Sequence, residues 1–213
     1  MSRIRVMLAD DHRMFSAGLA RLLQPQFDIV GIVQNGRDLV AAAERIRPDV
    51  ILVDISMPSL NGVEAARRIH EMPTPPRIVF LTMHEDASYL TAAFQAGACG
   101  YVLKRSAPSE VITAVREAMR GRIYVSSLVD GGLVKTVLKG IERTGKLKME
   151  LTSRQREILQ LLAEGKSPKE IAAMLNVSTR TVEFHKYRIV AATGARTIAE
   201  LTRYAVAHGI VQA

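Results

Sequence analysis

Short apolar runs alternate with helix-length amphipathic stretches along the first 122 residues of this 213-residue chain. The apolar runs are IRVML, FDIVGIV, VILV, RIVFL and GYVL, and stretches such as FSAGLARLL and PSEVITAVREAMRG follow them with apolar residues at helical spacing. Alternation with short connections requires right-handed crossovers, which produce a parallel sheet covered by helices on both faces. The pattern predicts an α/β domain of five strand–helix units with a doubly wound parallel sheet.

The length and composition bound the remaining possibilities. A chain of 213 residues with 48% apolar residues is long enough for two domains, each with its own core. It contains no run of eighteen uncharged apolar residues and no signal-peptide core, so we expect a cytoplasmic protein without a membrane partner. The single cysteine, Cys99, excludes an internal disulfide and a cysteine-rich zinc site.

The net charge of +8 is distributed unevenly along the chain. Residues 1–122 contain 15 Lys and Arg against 13 Asp and Glu, whereas residues 123–213 contain 14 against 8. The basic excess therefore lies in the shorter, C-terminal part. This asymmetry suggests a polyanion-binding module there, although an ordinary soluble basic surface has the same composition.

Polar side chains follow four of the five predicted strands. Asp10 and Asp11 follow the first strand, Asp54 the third, Thr82 the fourth and Lys104 the fifth. Ligands of open parallel sheets bind at the carboxyl ends of the strands. Carboxylate oxygens suit Mg²⁺ (magnesium), and a hydroxyl and an ammonium suit the oxygens of a phosphoryl group. This rim therefore predicts attack by a carboxylate on phosphorus.

Each of these side chains also has an ordinary interpretation. Asp10, Asp11 or Thr82 could cap the helix that follows, and Lys104 could be a solvated surface charge. Taken one at a time, the ordinary interpretation is the stronger. Together, an acid pair, an acid, a hydroxyl and a lysine in this order on one rim favour a phosphoryl site.

The segments LADDH, VILVDISMPSLNG, FLTMHE and AGACGYVLK resemble the receiver domain of two-component response regulators, over residues 3–122. The resemblance implies a flavodoxin-like (βα)5 fold in which Asp54 accepts a phosphoryl group from a cognate histidine kinase. It also implies a Mg²⁺ site, with ligands from Asp10, Asp11, Asp54 and the backbone carbonyl of Ser56.

The same resemblance assigns roles to the last two strands. Thr82 and Lys104 would contact the phosphoryl group, and Tyr101 matches the aromatic residue that swings inward on activation. An ordinary half-buried strand residue is an equal alternative for Tyr101. Arg105 stands where many receivers have proline.

The loop after Asp54 contains strong backbone signals. Pro58 restricts the chain, and Asn61–Gly62 predicts a turn with a positive φ.

Aspartyl-phosphate chemistry also serves phosphohydrolases of the haloacid dehalogenase type, which carry a second acid two residues after the nucleophile. Ser56 occupies that position here, so we do not expect an enzyme.

The rest of the chain divides into a linker and a helical domain. Residues 1–122 are the expected receiver domain, residues 123–148 the linker, and residues 149–213 the DNA-binding domain. A short helix is predicted within the linker, ahead of a lysine-rich tether, from its apolar residues Leu128, Val134, Val137, Leu138 and Ile141.

Capping residues mark four helix starts after residue 149. They are Thr152 with Gln155, Ser167 before Pro168, Ser178, and Thr197 with Glu200. Gly194 is expected to end the third helix. A tight turn between the second and third helices predicts a small all-α helix-turn-helix domain.

The stretch LTSRQREILQLLAEGKSPKEIAAMLNVSTRTVEFH resembles the LuxR-type helix-turn-helix of the NarL/FixJ response regulators, over residues 149–211. On this resemblance the third helix enters the major groove of double-stranded DNA. The expected DNA-binding residues are Lys169, Thr179, Arg180, Thr181, Glu183, Phe184, Lys186, Tyr187 and Arg188. A solvated helix face is the ordinary alternative.

Two residues of the third helix have alternative interpretations. Glu183 stands where the family usually has lysine; a glutamate repels phosphate, but it could accept from a cytosine or pair with Lys186. His185 lies on the core side with Val182 and Ile189, so we expect a packed, hydrogen-bonded histidine rather than a ligand.

The combined expectation is a phosphorylation-controlled DNA-binding transcriptional regulator that forms a homodimer when phosphorylated. The alternative is a DNA-binding regulator that needs no phosphate and whose receiver serves only as a dimerisation module. Retention of Asp54, Thr82 and Lys104 together argues against the alternative.

Overall fold

The chain divides into two units, Met1–Gly145 and Lys146–Ala213. The structure, a computed structural model, describes residues 3–144 and 151–211. Within these ranges, the helices are all too short or too polar to cross a membrane.

Six parallel strands form the sheet of the first unit. The strands are β1 (Arg5–Ala9), β2 (Asp28–Val33), β3 (Val50–Asp54), β4 (Arg77–Thr82), β5 (Gly100–Leu103) and β6 (Tyr124–Val125). Their order is β2-β1-β3-β4-β5-β6, so β1 and β3 are neighbours where the strand order reverses. The doubly wound, flavodoxin-like prediction is confirmed, with β6 as a strand beyond the five expected.

Helices cover both faces of this sheet. They are α1 (Arg13–Leu23), α2 (Gly36–Ile46), α3 (Gly62–His70), α4 (Ala87–Gln95) and α5 (Pro108–Met119). All five residues of β3 are buried; Val50 and Leu52 pack in the core with α1 and α5, whereas Ile51 and Val53 pack in the core with α2, α3 and α4. Burial on both faces explains why VILV is continuously apolar.

The segment after α5 contains β6 and a further helix, α6 (Gly131–Thr144). The short helix predicted in this segment is therefore present. Val137 is buried, Val134 and Leu138 are partly buried, and Leu128 lies before the helix and is exposed. The side chain of Ile141 and the lysine-rich stretch at 145–150 lie outside the described residues.

Four helices form the second unit, as predicted. They are α7 (Ser153–Ala163), α8 (Pro168–Leu175), α9 (Thr179–Thr193) and α10 (Ile198–Ala207). Each begins at its predicted cap, where the side chains of Thr152, Ser167, Ser178 and Thr197 accept a backbone N–H of the first turn. Asn176, with a φ of 51°, makes the turn between α8 and α9. Gly194 ends α9 in the left-handed conformation.

Candidate functional site

The predicted rim residues lie at the carboxyl ends of adjacent strands. Asp10 directly follows β1, Asp54 is the last residue of β3, Thr82 is the last of β4, and Lys104 directly follows β5. Because β1, β3, β4 and β5 are consecutive in the sheet, their ends form one continuous edge. Asp11, the next residue after Asp10, is exposed beside this edge.

An ion cluster of two carboxylates and one ammonium occupies the edge. Lys104 Nζ lies 2.7 Å from Asp54 Oδ2 and 2.8 Å from Asp10 Oδ2. Asp10 and Asp54 are only 3% and 2% exposed. Lys104 Nζ also lies 5.0 Å from the ring centre of Phe15, a contact that the sequence did not suggest. Two buried carboxylates thus share one cation, which leaves the cluster short of positive charge.

Burial and charge oppose each other in this cluster. Burial, opposed by Lys104 and reinforced by the neighbouring Asp10 carboxylate, raises the pKa of Asp54 to about 6. Burial by itself would lower the pKa of Lys104, but the adjacent Asp54 and Asp10 carboxylates leave it raised. The lysine is therefore cationic. The charged form of Asp54 is less favourable than that of an exposed aspartate, because Lys104 offsets only part of the effect of burial.

Four side chains, with Asp54 among them, could hold a metal ion. Asp10, Asp11, His12 and Asp54 each offer a ligand atom, and these atoms all lie within 4.8 Å of one another. The three carboxylates fit a hard cation such as Mg²⁺. His12 was not predicted; its Nδ1 lies 2.8 Å from Asp11 Oδ1.

Ser56, the remaining predicted ligand, is half-buried in the loop after β3. Its backbone N–H hydrogen-bonds the Asp54 carboxylate, which lowers the pKa of that group. Its side-chain Oγ lies 3.5 Å from His84 Nε2.

The loop after Asp54 differs from its predicted turn. The positive φ of 68° occurs at Ser59 instead of at Asn61–Gly62. Asn61 caps α3 by accepting the backbone N–H of Glu64 at 2.9 Å. Gly62 is required for space, because a Cβ there would lie 1.9 Å from the backbone oxygen of Asp54. The Asn–Gly pair therefore fixes the position of Asp54 relative to α3.

Thr82 and Tyr101 are connected through the backbone of His84. The Thr82 hydroxyl accepts the His84 N–H at 3.1 Å, and the Tyr101 hydroxyl donates to the His84 carbonyl at 2.9 Å. Both side chains are completely buried, and burial raises the pKa of Tyr101. Tyr101 is thus an inward-pointing aromatic rather than a half-buried strand residue. The intermediate position of His84 could not be predicted from the sequence.

The outer face of α9 carries the residues predicted to contact DNA. Thr179, Arg180, Glu183, Phe184, Tyr187 and Arg188 are exposed, and Lys169 is exposed on α8. Phe184 and Tyr187 are 59% and 71% exposed, a high value for aromatic side chains. Lys186 is partly buried, as is Thr181, whose hydroxyl lies 2.8 Å from that of Ser178. This face of α9 therefore points away from the core of the helical unit.

Glu183 forms an ion pair with Lys186, with 3.7 Å between Lys186 Nζ and Glu183 Oε2. This pair is one of the two alternatives that the sequence left open for Glu183. On the core side, Val182 and Ile189 are buried as predicted, and His185 is half-buried. The expected hydrogen bond of His185 is missing at Nδ1, which is buried without a partner in the part of the chain that the structure describes. Burial lowers the pKa of His185, and Arg154 lowers it further.

Comparison with known families matches both units. The model of the response regulator receiver domain matches residues 6–116, and the model of bacterial regulatory proteins of the luxR family matches residues 149–205. The chain is a response regulator of the NarL/FixJ type. This response regulator is a transcriptional regulator with a receiver domain and a LuxR-type DNA-binding domain.

Relatives match this response regulator over most of its length. Response regulator UvrY of Escherichia coli K12 is 32% identical over 212 residues, which cover 99% of this chain and 97% of UvrY. Transcriptional regulatory protein LiaR of Bacillus subtilis is 37% identical over 187 residues, covering 85% and 87% of the two chains. Among solved structures, response regulator RcsB of Salmonella typhimurium is similar with a TM-score of 0.66 and 25% identity, over 98% of this chain and 99% of RcsB.

Proposed function

We propose that phosphorylation of Asp54 controls DNA binding by this response regulator. The observation that carries the proposal is the buried ion cluster, in which Lys104 lies within 2.8 Å of both Asp54 and Asp10. A shared cation at the end of three strands is the arrangement that a transferring phosphoryl group needs.

The proposed reaction is phosphoryl transfer from a histidine of a cognate kinase. An Asp54 carboxylate oxygen forms a bond to phosphorus, the phosphorus–nitrogen bond breaks, and its electron pair stays with the imidazole. Lys104 neutralises charge on the phosphoryl oxygens, and the Thr82 hydroxyl donates to one of them. Mg²⁺ would neutralise the remaining charge when bound by its proposed ligands Asp10, Asp11, Asp54 and the Ser56 carbonyl.

Phosphorylation would change the receiver through Thr82. When the hydroxyl turns toward the phosphoryl group, it stops accepting the His84 N–H in its present geometry. The His84 carbonyl, which accepts from Tyr101, then shifts as well. Thr82, His84 and Tyr101 thus form the proposed two-state element.

The proposed output is binding of α9 in the major groove of double-stranded DNA by a homodimer. The exposed, largely polar face of α9 supports this placement, with Lys169 and Thr181 at phosphates. One solved structure that is 25% identical to this chain is described as two RcsB dimers bound to two parallel DNAs. Two copies would read half-sites about one helical turn apart, or a multiple of it.

Labelling with radioactive acetyl phosphate tests the acceptor. We expect about one phosphate per chain in the presence of Mg²⁺ and none after chelation. Asp54→Asn should abolish labelling. Asp28→Asn should retain it, because Asp28 is exposed at the amino end of β2, whereas Asp54 lies at the carboxyl end of β3. Labelling of Asp54→Asn at the parent level would exclude Asp54 as the acceptor.

Genome-wide mapping of bound DNA tests the regulatory half of the proposal. We expect occupancy to rise when the phosphodonor is supplied to the parent chain and to stay low in Asp54→Asn. Equal occupancy in both chains, with and without phosphodonor, would favour the phosphate-independent regulator instead.

A further inference from the structure

Two aromatic side chains stand in the middle of the exposed face of α9. Phe184 and Tyr187 are 59% and 71% exposed, although burial of such side chains is strongly favourable. They are three residues apart, so they are neighbours on the helix surface. The buried residues Val182 and Ile189 lie on the opposite side of the helix. The aromatic pair is therefore at the centre of the face that is proposed to enter the major groove.

The ring of Phe184 is supported from the core side of the helix. It meets the ring of His185 edge-on, with 5.6 Å between the ring centres and 70° between the ring planes. His185 is half-buried in its own unit, so this contact restricts the orientation of the Phe184 ring. A side chain that is already restricted loses little conformational freedom when it binds.

Side chains that could hydrogen-bond to base edges are scarce in the same part of α9. Ala191 continues the exposed stripe one turn after Tyr187, and residues 189–195 contain no charged side chain. Glu183 and Lys186, beside the stripe, form an ion pair with each other. Apolar contact is therefore the main means of recognition that the middle of α9 offers.

Positive charge flanks the aromatic pair. Arg180 precedes Phe184 by four residues and Arg188 follows it by four, so both lie next to its ring on the helix surface. Both arginines are exposed, and neither forms an ion pair within the part of the chain that the structure describes. A twofold contact between two copies would bring like charges together, whereas the phosphates of a duplex would neutralise them. Charge thus favours DNA over a second copy as the occupant of this face.

The major groove contains one apolar group that suits an aromatic ring, the C5 methyl group of thymine. Phenylalanine has no donor or acceptor to offer a base edge. Against a G·C pair it would cover the cytosine amino group without replacing the hydrogen bond that this group makes to water, which is unfavourable. An exposed Phe184 at the centre of the face therefore discriminates in favour of thymine.

We propose that Phe184 and Tyr187 select thymine in each operator half-site through its C5 methyl group. The inference rests on the DNA binding proposed above and adds the base that the helix reads. It does not depend on how phosphorylation controls that binding.

Uracil substitution in the operator tests this inference. The full chain, with acetyl phosphate and Mg²⁺, first selects its preferred duplexes from a randomised library. Each thymine of the selected half-site is then replaced in turn by uracil, which lacks only the C5 methyl group. At the thymine that Phe184 contacts, we expect the dissociation constant to rise about fourfold, the value for loss of one buried methyl group.

Matched variants assign the preference to the aromatic pair. Phe184→Ala should bind the thymine and uracil duplexes equally, and it should fold normally because the side chain is exposed. Tyr187→Ala should weaken the preference for thymine, and Tyr187→Phe, which keeps the ring, should restore it. Leu128→Ala truncates an apolar side chain that is 49% exposed in the receiver unit, so it should keep the preference in full.

The outcomes separate failure of the inference from failure of the proposed function. A selected half-site without thymine, or a Phe184→Ala variant that keeps the preference of the parent, would show that the thymine reading is wrong while DNA binding stands. A library that yields no enriched sequence would overturn sequence-specific binding and the inference with it. If Phe184→Ala alters self-association in sedimentation but not DNA affinity, the aromatic pair belongs to a contact between copies instead.

Discussion

The two units use charged side chains in opposite ways. In the receiver, Asp10, Asp54 and Lys104 are buried together at the sheet edge. In the DNA-binding unit, the charged residues of α9 such as Arg180 and Arg188 are exposed. Buried charges depend on one another for compensation, whereas exposed charges are compensated by water. Substitutions of the buried charges in the receiver should therefore change its free energy of unfolding, whereas substitutions of the exposed charges on α9 should change that of the DNA-binding unit little.

The DNA-binding unit also contains a buried carboxylate in an ion pair with a partly exposed arginine, which shows that burial by itself does not mark chemistry. Glu157 is completely buried and lies 2.9 Å from Arg154 Nη1. Arg154 Nη2 donates to the carbonyl of Leu175, so the pair joins α7 to the end of α8. The receiver rim differs because two carboxylates share a single ammonium.

The largest expected effect comes from removing that ammonium. Lys104→Met should lower the free energy of unfolding of the receiver by about 3 kcal/mol at about pH 8 without divalent cation, because two buried carboxylates then face each other. The pKa of Asp54 is already about 6 beside Lys104 and rises further without it. As the pH falls through that raised pKa, protonation removes the repulsion and the deficit shrinks. Urea denaturation followed by circular dichroism between about pH 8 and pH 5 measures both effects.

Arg154→Met is the matched substitution in the other unit. It should lower the stability of the DNA-binding unit by about 2 kcal/mol and leave the receiver transition unchanged. A deficit of Lys104→Met that stays constant across the pH range would mean that the two carboxylates of the rim do not interact.

The next effect contrasts two glycines. Gly62→Ala should cost the receiver about 2 kcal/mol, because its Cβ would lie 1.9 Å from the Asp54 backbone oxygen. Gly194→Ala should cost the DNA-binding unit only about 1 kcal/mol, since open space surrounds Gly194 and only its φ of 71° opposes alanine. Thermal unfolding measures both, and acetyl phosphate labelling should fall for Gly62→Ala alone. Unchanged labelling of Gly62→Ala would show that the loop adapts without moving Asp54.

The sheet edge could be predicted because parallel strands bring their carboxyl ends together whatever the details of the connections. Asp10, Asp54, Thr82 and Lys104 each follow an apolar run that is unmistakable in the sequence. The link through His84 could not be predicted, because it uses backbone atoms that every residue possesses.

Short sequence motifs predicted the local structure less well where a residue can serve more than one structural role. Asn61–Gly62 indicates a turn, but in the fold the asparagine caps α3 and the glycine admits the Asp54 backbone. Strand β6 has only two residues, Tyr124 and Val125, and forms because the edge of β5 is open to pairing. Neither outcome follows from periodicity, since both depend on distant partners.

A smaller effect is expected from Mg²⁺. At ten times its dissociation constant, a bound ion stabilises the native state by about 1.4 kcal/mol. We expect this gain in the receiver transition of the parent and not in that of the DNA-binding unit. Asp11→Asn should lose most of it, whereas Asp28→Asn, away from the rim, should keep it. An equal gain in both transitions would indicate general ion screening instead of a site.

The smallest effect on stability, and the clearest on binding, is expected from Glu183→Gln. Glu183 is exposed, so the unfolding free energy should change by less than about 0.5 kcal/mol. The substitution frees Lys186 from its 3.7 Å pair and removes a charge that repels phosphate. Affinity for random-sequence duplex DNA, measured by fluorescence anisotropy, should rise. The slope of log affinity against log salt should steepen by about 0.9, the value for one added phosphate contact. Glu164→Gln makes the same change of net charge at an exposed position that follows the last residue of α7 and does not belong to α9. Because only a residue on the binding face alters the number of phosphate contacts, Glu164→Gln should leave the slope unchanged; an equal steepening in both variants would place the DNA elsewhere than on α9.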